Sequence, residues 1–416
     1  MLEQPEDHMR ATPSLRLRHL AGVIALGVAL SRASAQTVPA RLADTTFWRL
    51  VNEHSEPWGT FRSENFVSNE TSLQWVIPEL RRTVAPGGVY VGVAPDQNFT
   101  YIAALRPSIA FIVDIRHQNA MQHLMYKALI EMSKDRAEFL AKLFARAPLS
   151  GVDASSSPAM LFEALATQPA DSARYRENLR AITDRLVNGH GFALSDSERV
   201  SLGCVYGAFF TQGPALNYSY SSECRNPGPY GYGRGGYGGG GRVGIGGPGR
   251  MGPFAMPSYL AMVTETDSAG FNWSYLGSEA SFRVVKEMEQ RNLIVPLTGD
   301  FAGEKTLRAV GDYARSHGAR VTAFYVSNVE QYLFQQEDEA ARFYKNVATL
   351  PLDSTSTFIR SFSRGRFMGN EAMLQLKPQS TAGRSLQLIS SMQQTLKAVE
   401  AGQLTTWISV IGLSRQ

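Results

Sequence analysis

The chain is short of the strings that mark the commonest catalytic sites. It has no G-x-S-x-G elbow, so a serine hydrolase built on a parallel sheet would have no nucleophile. It has no Walker string and no H-E-x-x-H pair, which removes the usual phosphate-cradling loop and the usual zinc-protease helix. Only two cysteines occur, Cys204 and Cys224, and neither has a histidine partner at metal spacing. His117 and His123 are six residues apart, which does not put them on one helical face, so no metal is expected.

Charge of one sign is also scarce. The 41 Lys and Arg nearly balance the 37 Asp and Glu, a surface that gives no reason to expect nucleic acid. The apolar run Leu20 to Leu30 has eleven residues, whereas a membrane-spanning helix needs about 20. It follows Arg16, Arg18 and His19 and precedes Ala33-Ser34-Ala35, the layout of a secretory signal peptide cleaved near Ala35. The sequence therefore predicts an exported protein, periplasmic or secreted, with no membrane span after processing. Removing residues 1–35 takes away four Arg and three acids, so 37 basic residues face 34 acidic ones, or +3. In an oxidising compartment Cys204 and Cys224 are free to pair, which would stabilise by roughly 3 kcal/mol, or to remain separate thiols.

What is present is material for a large core: 416 residues, 44% hydrophobic and 10% aromatic. Val89 to Val93 and Ile109 to Val113 are short runs rich in β-branched residues, as in buried parallel strands, with a crossover helix over Asn98 to Leu105. Met121 to Phe144 carries apolar residues at helical spacing, with Ser133 and Asp135 placed to cap a second helix. Residues 225–252 are half glycine, 14 of 28, with four arginines and no acid, a composition unable to offset its ordering entropy. The α/β pattern resumes with a strand over 292–300 that ends in Gly-Asp, a helix from Glu304 to Ser316 and, over 320–334, a strand running into a polar turn. Two more strands are expected at "TFIRSFSR" and "TTWISVIGLSR", separated by a helix from Ser385 to Ala401.

The predicted architecture is an α/β, Rossmann-like, doubly wound and mostly parallel sheet with helices on both faces. Residues 1–35 are the signal peptide and 36–85 an N-terminal helical cap. Residues 86–150 and 259–416 form the two halves of the sheet domain, 151–224 a helical insertion and 225–258 a disordered Gly-rich loop.

In such sheets ligands bind beyond the carboxyl ends of the strands. Gly92 lets the first turn close, and Asp114 lies 22 residues further on, where a ribose-binding acid is expected. Ala94 and Pro95 stand where a dinucleotide-binding turn would have more glycine, which argues against NAD or FAD. Asp114 is also a suitable helix cap, but its joint spacing with Gly92 favours the ribose role; Asp300 serves a cap as readily as a cofactor contact, and Ser327-Asn328 is also suited to a plain turn. Asn65, Ser68, Asn69 and Glu70 are more polar groups than a simple connection needs, so that segment is expected to close a pocket over the strand ends.

A glycine turn, an acid after strand two, Gly-Asp after strand three and Ser-Asn after strand four together resemble the class I S-adenosylmethionine-dependent methyltransferase fold. The strings "ENFVSNE", "VGVAPDQNFTYI", "FIVDIRHQN" and "FYVSNVEQYLF" also resemble an uncharacterised bacterial family of that fold, over roughly residues 45–145 and 275–335. The resemblance implies S-adenosylmethionine as cofactor. It implies cofactor contacts from the turn of Gly92, Ala94, Pro95 and Asp96, from Asp114 and from Asp300; beside these, Arg116 is expected as a further cofactor contact, and Asn69, Glu70 and Asn98 at a substrate pocket. It places Ser327 and Asn328 at the reacting group. No Asn-Pro-Pro-Tyr string follows strand four, so amino methylation has no motif behind it. Export would separate the chain from cytosolic S-adenosylmethionine, which leaves two functions open: a methyltransferase-like enzyme with unknown acceptor, or an exported module that binds a small ligand or a partner without turnover.

Overall fold

The computed structural model describes residues 37–61, 63–220, 256–363, 376, 379 and 385–415. The expected signal peptide, residues 225–255 of the Gly-rich loop and Cys224, with any pairing to Cys204, lie outside the described residues.

Two helices, α1 (Asp44–Glu53) and α2 (Ile77–Thr83), flank an irregular segment that includes "ENFVSNE". There follow β1 (Val89–Gly92), α3 (Gln97–Leu105), β2 (Ile109–Asp114), α4 (His117–Glu131) and α5 (Arg136–Leu143). A helical stretch comes next, with α6 (Pro158–Ala166), α7 (Ser172–Asp184) and α8 (Asp196–Gln212). After α9 (Tyr259–Thr264) and α10 (Glu279–Gln290) come β3 (Ile294–Thr298), α11 (Thr306–Ser316), β4 (Val321–Ser327), α12 (Val329–Leu333) and α13 (Glu339–Val347). The chain ends in β5 (Thr357–Ser363), β6 (Ser385–Ser391) and α14 (Met392–Glu400).

The helix starts follow local chemistry. Asp135 accepts the Glu138 N–H at the head of α5, and Ser195 with Glu198 forms a reciprocal capping box on α8. Arg106, in the left-handed conformation, ends α3.

The six strands lie in the order β3-β2-β1-β4-β5-β6. The first five are parallel, and β6 runs antiparallel to β5. β1 to β4 are buried along their whole length, which is why their sequences read as continuous apolar runs. α4 packs on β2, β3 and α8, and one core takes in the sheet together with Leu161, Leu202 and Phe209 of the helical stretch.

Three expectations are corrected. The helix predicted from Ser385 to Ala401 is a strand followed by a shorter helix. Leu386 and Leu388 alternate with Gln387, a period of two, and pack with Phe362 and Trp407 in a separate small cluster. The last predicted strand is a 3-10 helix, Trp407–Leu413, opened by a Thr406/Ser409 capping box, and Trp407 stacks on Phe362 at 4.3 Å. The sheet is therefore mixed. The helix predicted from Glu304 begins at Thr306, and its cap does not come from Asp300: the Lys305 and Thr306 N–H groups donate to Glu56.

Candidate functional site

The strand order places β1 and β4 side by side at the centre with their connections leaving to opposite sides, the position where open α/β sheets leave a crevice. A cavity of about 830 Å³ lies there. Its walls come from the segments that follow β1, β2, β3 and β4 and from residues 58–70, which cross over the strand ends.

Ala94, in the turn after β1, has φ 69°, a left-handed conformation that costs a non-glycine residue about 1–2 kcal/mol. Three contacts hold it. The Asn98 side-chain amide donates to the carbonyls of Val93 (2.8 Å), Ala94 (3.0 Å) and Pro95 (2.7 Å). Tyr90 OH donates to Asn98 Oδ1 at 2.8 Å, and His123 Nε2 lies 3.0 Å from the Ala94 carbonyl. Burial pushes the His123 imidazole down to about 4, so it is neutral and donates from Nε2. Asp96 is buried behind this turn, where its Oδ2 accepts from Tyr275 OH at 3.2 Å and burial pushes it up to about 7. It borders a separate void of about 20 Å³.

At the end of β2, Asp114 is held in a bidentate pair with Arg116: Nε to Oδ1 at 3.0 Å and Nη2 to Oδ2 at 2.7 Å. The Arg116 backbone N–H also donates to Oδ1, and Arg116 Nη1 donates to the Glu64 carbonyl. A carboxylate oxygen offers two lone pairs, so Oδ1 is filled and Oδ2 keeps one acceptor position. Arg116 keeps N–H donors beyond those it uses. Both side chains line the cavity.

After β3, Asp300 accepts the Ala302 N–H, and its own N–H donates to Glu56 Oε2 at 3.1 Å. Burial raises the Asp300 carboxyl, and the neighbouring Glu56 carboxylate adds to the rise. Glu56 thus fastens the crossing segment to the β3–α11 turn, aided by its N–H to the Thr298 carbonyl at 2.8 Å.

After β4, Ser327 has φ 53° next to a register shift between Tyr325 and Ser327. Its hydroxyl donates to Glu70, which also accepts from Tyr325 OH (2.6 Å) and Gln387 Nε2 (2.8 Å). Glu70 is only 5% exposed, and burial raises its carboxyl while these donors oppose the rise. Gln97 Nε2 donates to Tyr325 OH at 3.2 Å and extends the network to the first turn.

Among the residues expected at the site, Ala94, Asp114, Arg116, Asp300, Ser327, Asn328, Asn69 and Glu70 all line the cavity. Gly92, Pro95, Asp96 and Asn98 do not. Asn98 holds the turn from below, and a Cβ on Gly92 would overlap Asn98 Oδ1, so glycine at 92 makes room for that side chain rather than for a ligand. Sequence reasoning missed the aromatic rim of Trp58, Phe61 and Tyr332. Trp58 is 40% exposed and stacks on His117, and Phe61 meets Tyr332 edge to face at 5.3 Å. Aromatic residues inside the polar, turn-rich stretch "EPWGTFRSENF" were the available signal. The left-handed residues Asn65, Ala94 and Ser327 all line this one cavity, and such backbone strain concentrates at functional sites.

Among the described residues no group of three or more His, Cys, Asp or Glu is placed to hold a metal ion, and no helix is long and apolar enough to cross a membrane. A search of curated proteins finds no match. A family model described as a domain of unknown function (DUF7790) matches residues 65–190 and 250–411, segments that carry all six strands and most of the cavity wall. The chain belongs to that family.

Proposed function

We propose that the cavity binds S-adenosylmethionine or a related nucleoside, as a methyltransferase-like protein would, with the acceptor unidentified. The observation that carries this reading is that the left-handed Ala94 turn and the Asp114–Arg116 pair, on adjacent strand ends, line one cavity. The residues fit the group. A ribose diol both donates and accepts, and the remaining acceptor position on Asp114 Oδ2 beside the spare Arg116 N–H groups offers both partners. The aromatic rim gives a planar base a surface to stack on.

Bound S-adenosylmethionine would supply an electrophilic methyl group. The chain would supply position: the Ala94 turn and Asp114 orient the nucleoside, Asp300 borders it, and Ser327 and Asn328 orient the acceptor. Residues 58–70 would cover the strand ends and exclude water.

One observation favours the alternative of a binding module without turnover. Ser327 and Glu70 bond to each other, and Asp114 bonds to Arg116, so the best candidates for a base are already engaged. On this reading the chain is exported through its N-terminal signal and keeps the fold to hold a small ligand or a partner.

The test is thermal unfolding of the purified chain with S-adenosylmethionine, S-adenosylhomocysteine and common nucleotides. A ligand at about 100 times its Kd stabilises by about 2.7 kcal/mol. Asp114→Asn, which keeps a hydrogen-bonding partner for Arg116, should weaken an adenosyl ligand strongly. No shift with any of these compounds, or a shift untouched by Asp114→Asn, overturns the reading.

A further inference from the structure

Ser327 is the last residue of β4, and one residue, Asn328, separates it from α12. Its φ of 53° is left-handed, a conformation that costs a serine free energy, and strain of this kind gathers at active sites. A sharp strand-to-helix turn is also the device that presents a serine hydroxyl at the top of an α/β sheet. In the commonest form of that turn glycine stands two residues to either side; here Tyr325 and Val329 stand there, so the sequence carries no such motif. Ser327 lines the main cavity.

The hydroxyl has a base within reach. Ser327 Oγ donates to Glu70 Oε1, and the other carboxylate oxygen is held by Tyr325 OH at 2.6 Å and Gln387 Nε2 at 2.8 Å. A nucleophile bonded to a base, with further groups orienting the base, is the arrangement that activates a serine. Burial raises the Glu70 carboxyl, which makes it a better proton acceptor than an exposed carboxylate. Asn328 lines the same cavity, and its side-chain N–H groups bond to no described residue, which leaves donors for an oxygen that turns negative. A plain turn accounts for the backbone of Ser327 but not for the buried carboxylate bonded to its hydroxyl. The bond that withdraws Glu70 from a methyl acceptor is the one that activates Ser327.

We propose that Ser327 is a nucleophile that takes the acyl group of a small carboxylic ester, with Glu70 as its base and Asn328 facing the developing oxyanion. As Oγ bonds to the ester carbonyl carbon, its proton passes to Glu70. The tetrahedral intermediate then breaks its bond to the leaving oxygen, which takes that proton and departs as an alcohol, leaving acyl-Ser327. Solvent water attacks the acyl carbon and gives a proton to Glu70; the bond to Oγ breaks, the acid leaves, and Oγ recovers the proton. Ester and water have become acid and alcohol. This activity goes beyond the nucleoside reading and does not rest on it: a chain that ignores every adenosyl compound can still be acylated.

The experiment treats the full chain with an alkyl fluorophosphonate, from which a serine nucleophile displaces fluoride, and locates the adduct by peptide mass spectrometry. Hydrolysis of p-nitrophenyl acetate is followed in parallel. The natural chain should carry one adduct, on Ser327, and should release p-nitrophenol. Ser327→Gly, which suits a left-handed turn, should abolish both. Glu70→Gln should slow labelling by about 100-fold or more. Asn328→Ala should slow hydrolysis by about 100-fold. Thermal unfolding of each variant separates lost reactivity from lost fold, and the position of the adduct on the natural chain needs no variant. A natural chain left unmodified, an adduct on another residue, or reaction at the natural rate in Glu70→Gln or Asn328→Ala overturns the proposal.

Discussion

Gly92 and Asn98 fit together as a matched pair: the side chain of Asn98 occupies the space where any Cβ on residue 92 would stand, and Tyr90 closes in from the other side at 2.8 Å. Because Asn98 alone ties down three consecutive carbonyls, the pair sets the course of the first turn.

Gly92→Ala should therefore destabilise the fold by about 1–3 kcal/mol, the cost of overpacking a tight interior. Asn98→Ala should also destabilise, by leaving buried carbonyls unpaired. The double variant should lose less than the sum of the two, since the overlap with Asn98 disappears with the amide and only the Tyr90 contact remains. Urea unfolding of the four chains gives this coupling, and simple additivity would count against it.

Asp96 and His123 predict opposite pH trends over one window. Asp96 holds its proton up to about 7 in the fold, against an ordinary value of 3.8. Its stabilising effect is present below the unfolded value and is lost as pH rises towards 7. Asp96→Asn cannot titrate, so its stability relative to the natural chain should climb with pH across that window, by about 1.4 kcal/mol per unit.

His123 runs the other way. Its folded pKa of about 4 lies below the ordinary value of 6.5, so the unfolded chain takes up the proton first as pH falls. The natural chain loses this contribution between 6.5 and about 4. His123→Gln should gain on it as pH falls, by a similar slope. Stability curves for both variants against the natural chain decide the matter, and slopes of the same sign would contradict the burial assigned to one of the two.

Arg360 and Glu330 form a wholly buried ion pair, Nε to Oε2 at 2.6 Å, with Tyr344 OH also donating to Glu330. Arg360→Met should cost about 3–5 kcal/mol by stranding a buried carboxylate. Adding Glu330→Gln should return part of that loss. Chemical denaturation measures both, and a double variant weaker than the single would be the contrary result.

The parts of this structure that lie close along the chain were legible in the sequence. The β-branched runs at 89–93 and 109–113, the crossover between them and the Asp135 cap all follow from local spacing and turn chemistry. Asp114 and Ser327 could be placed at the cavity because they end strands. Partnerships across long separations were not legible. Glu70 meets Gln387 and Ser327 from more than 250 residues away, and nothing near Glu56 announces that it will cap α11. The misread Ser385 to Ala401 had another cause: a short strand of alternating leucines runs straight into a helix, and the two periods blur.

The segment from 55 to 70 is fastened at one end by Glu56 to the β3–α11 turn and at the other by Glu70 beneath β4. The stretch shared with the family begins only at residue 65, after Trp58 and Phe61. Two of the three rim aromatics, Trp58 and Phe61, thus stand outside the matched residues, while the third, Tyr332, and the strand ends beneath it stand within them, so the chamber is closed in part by chain that the family match does not cover.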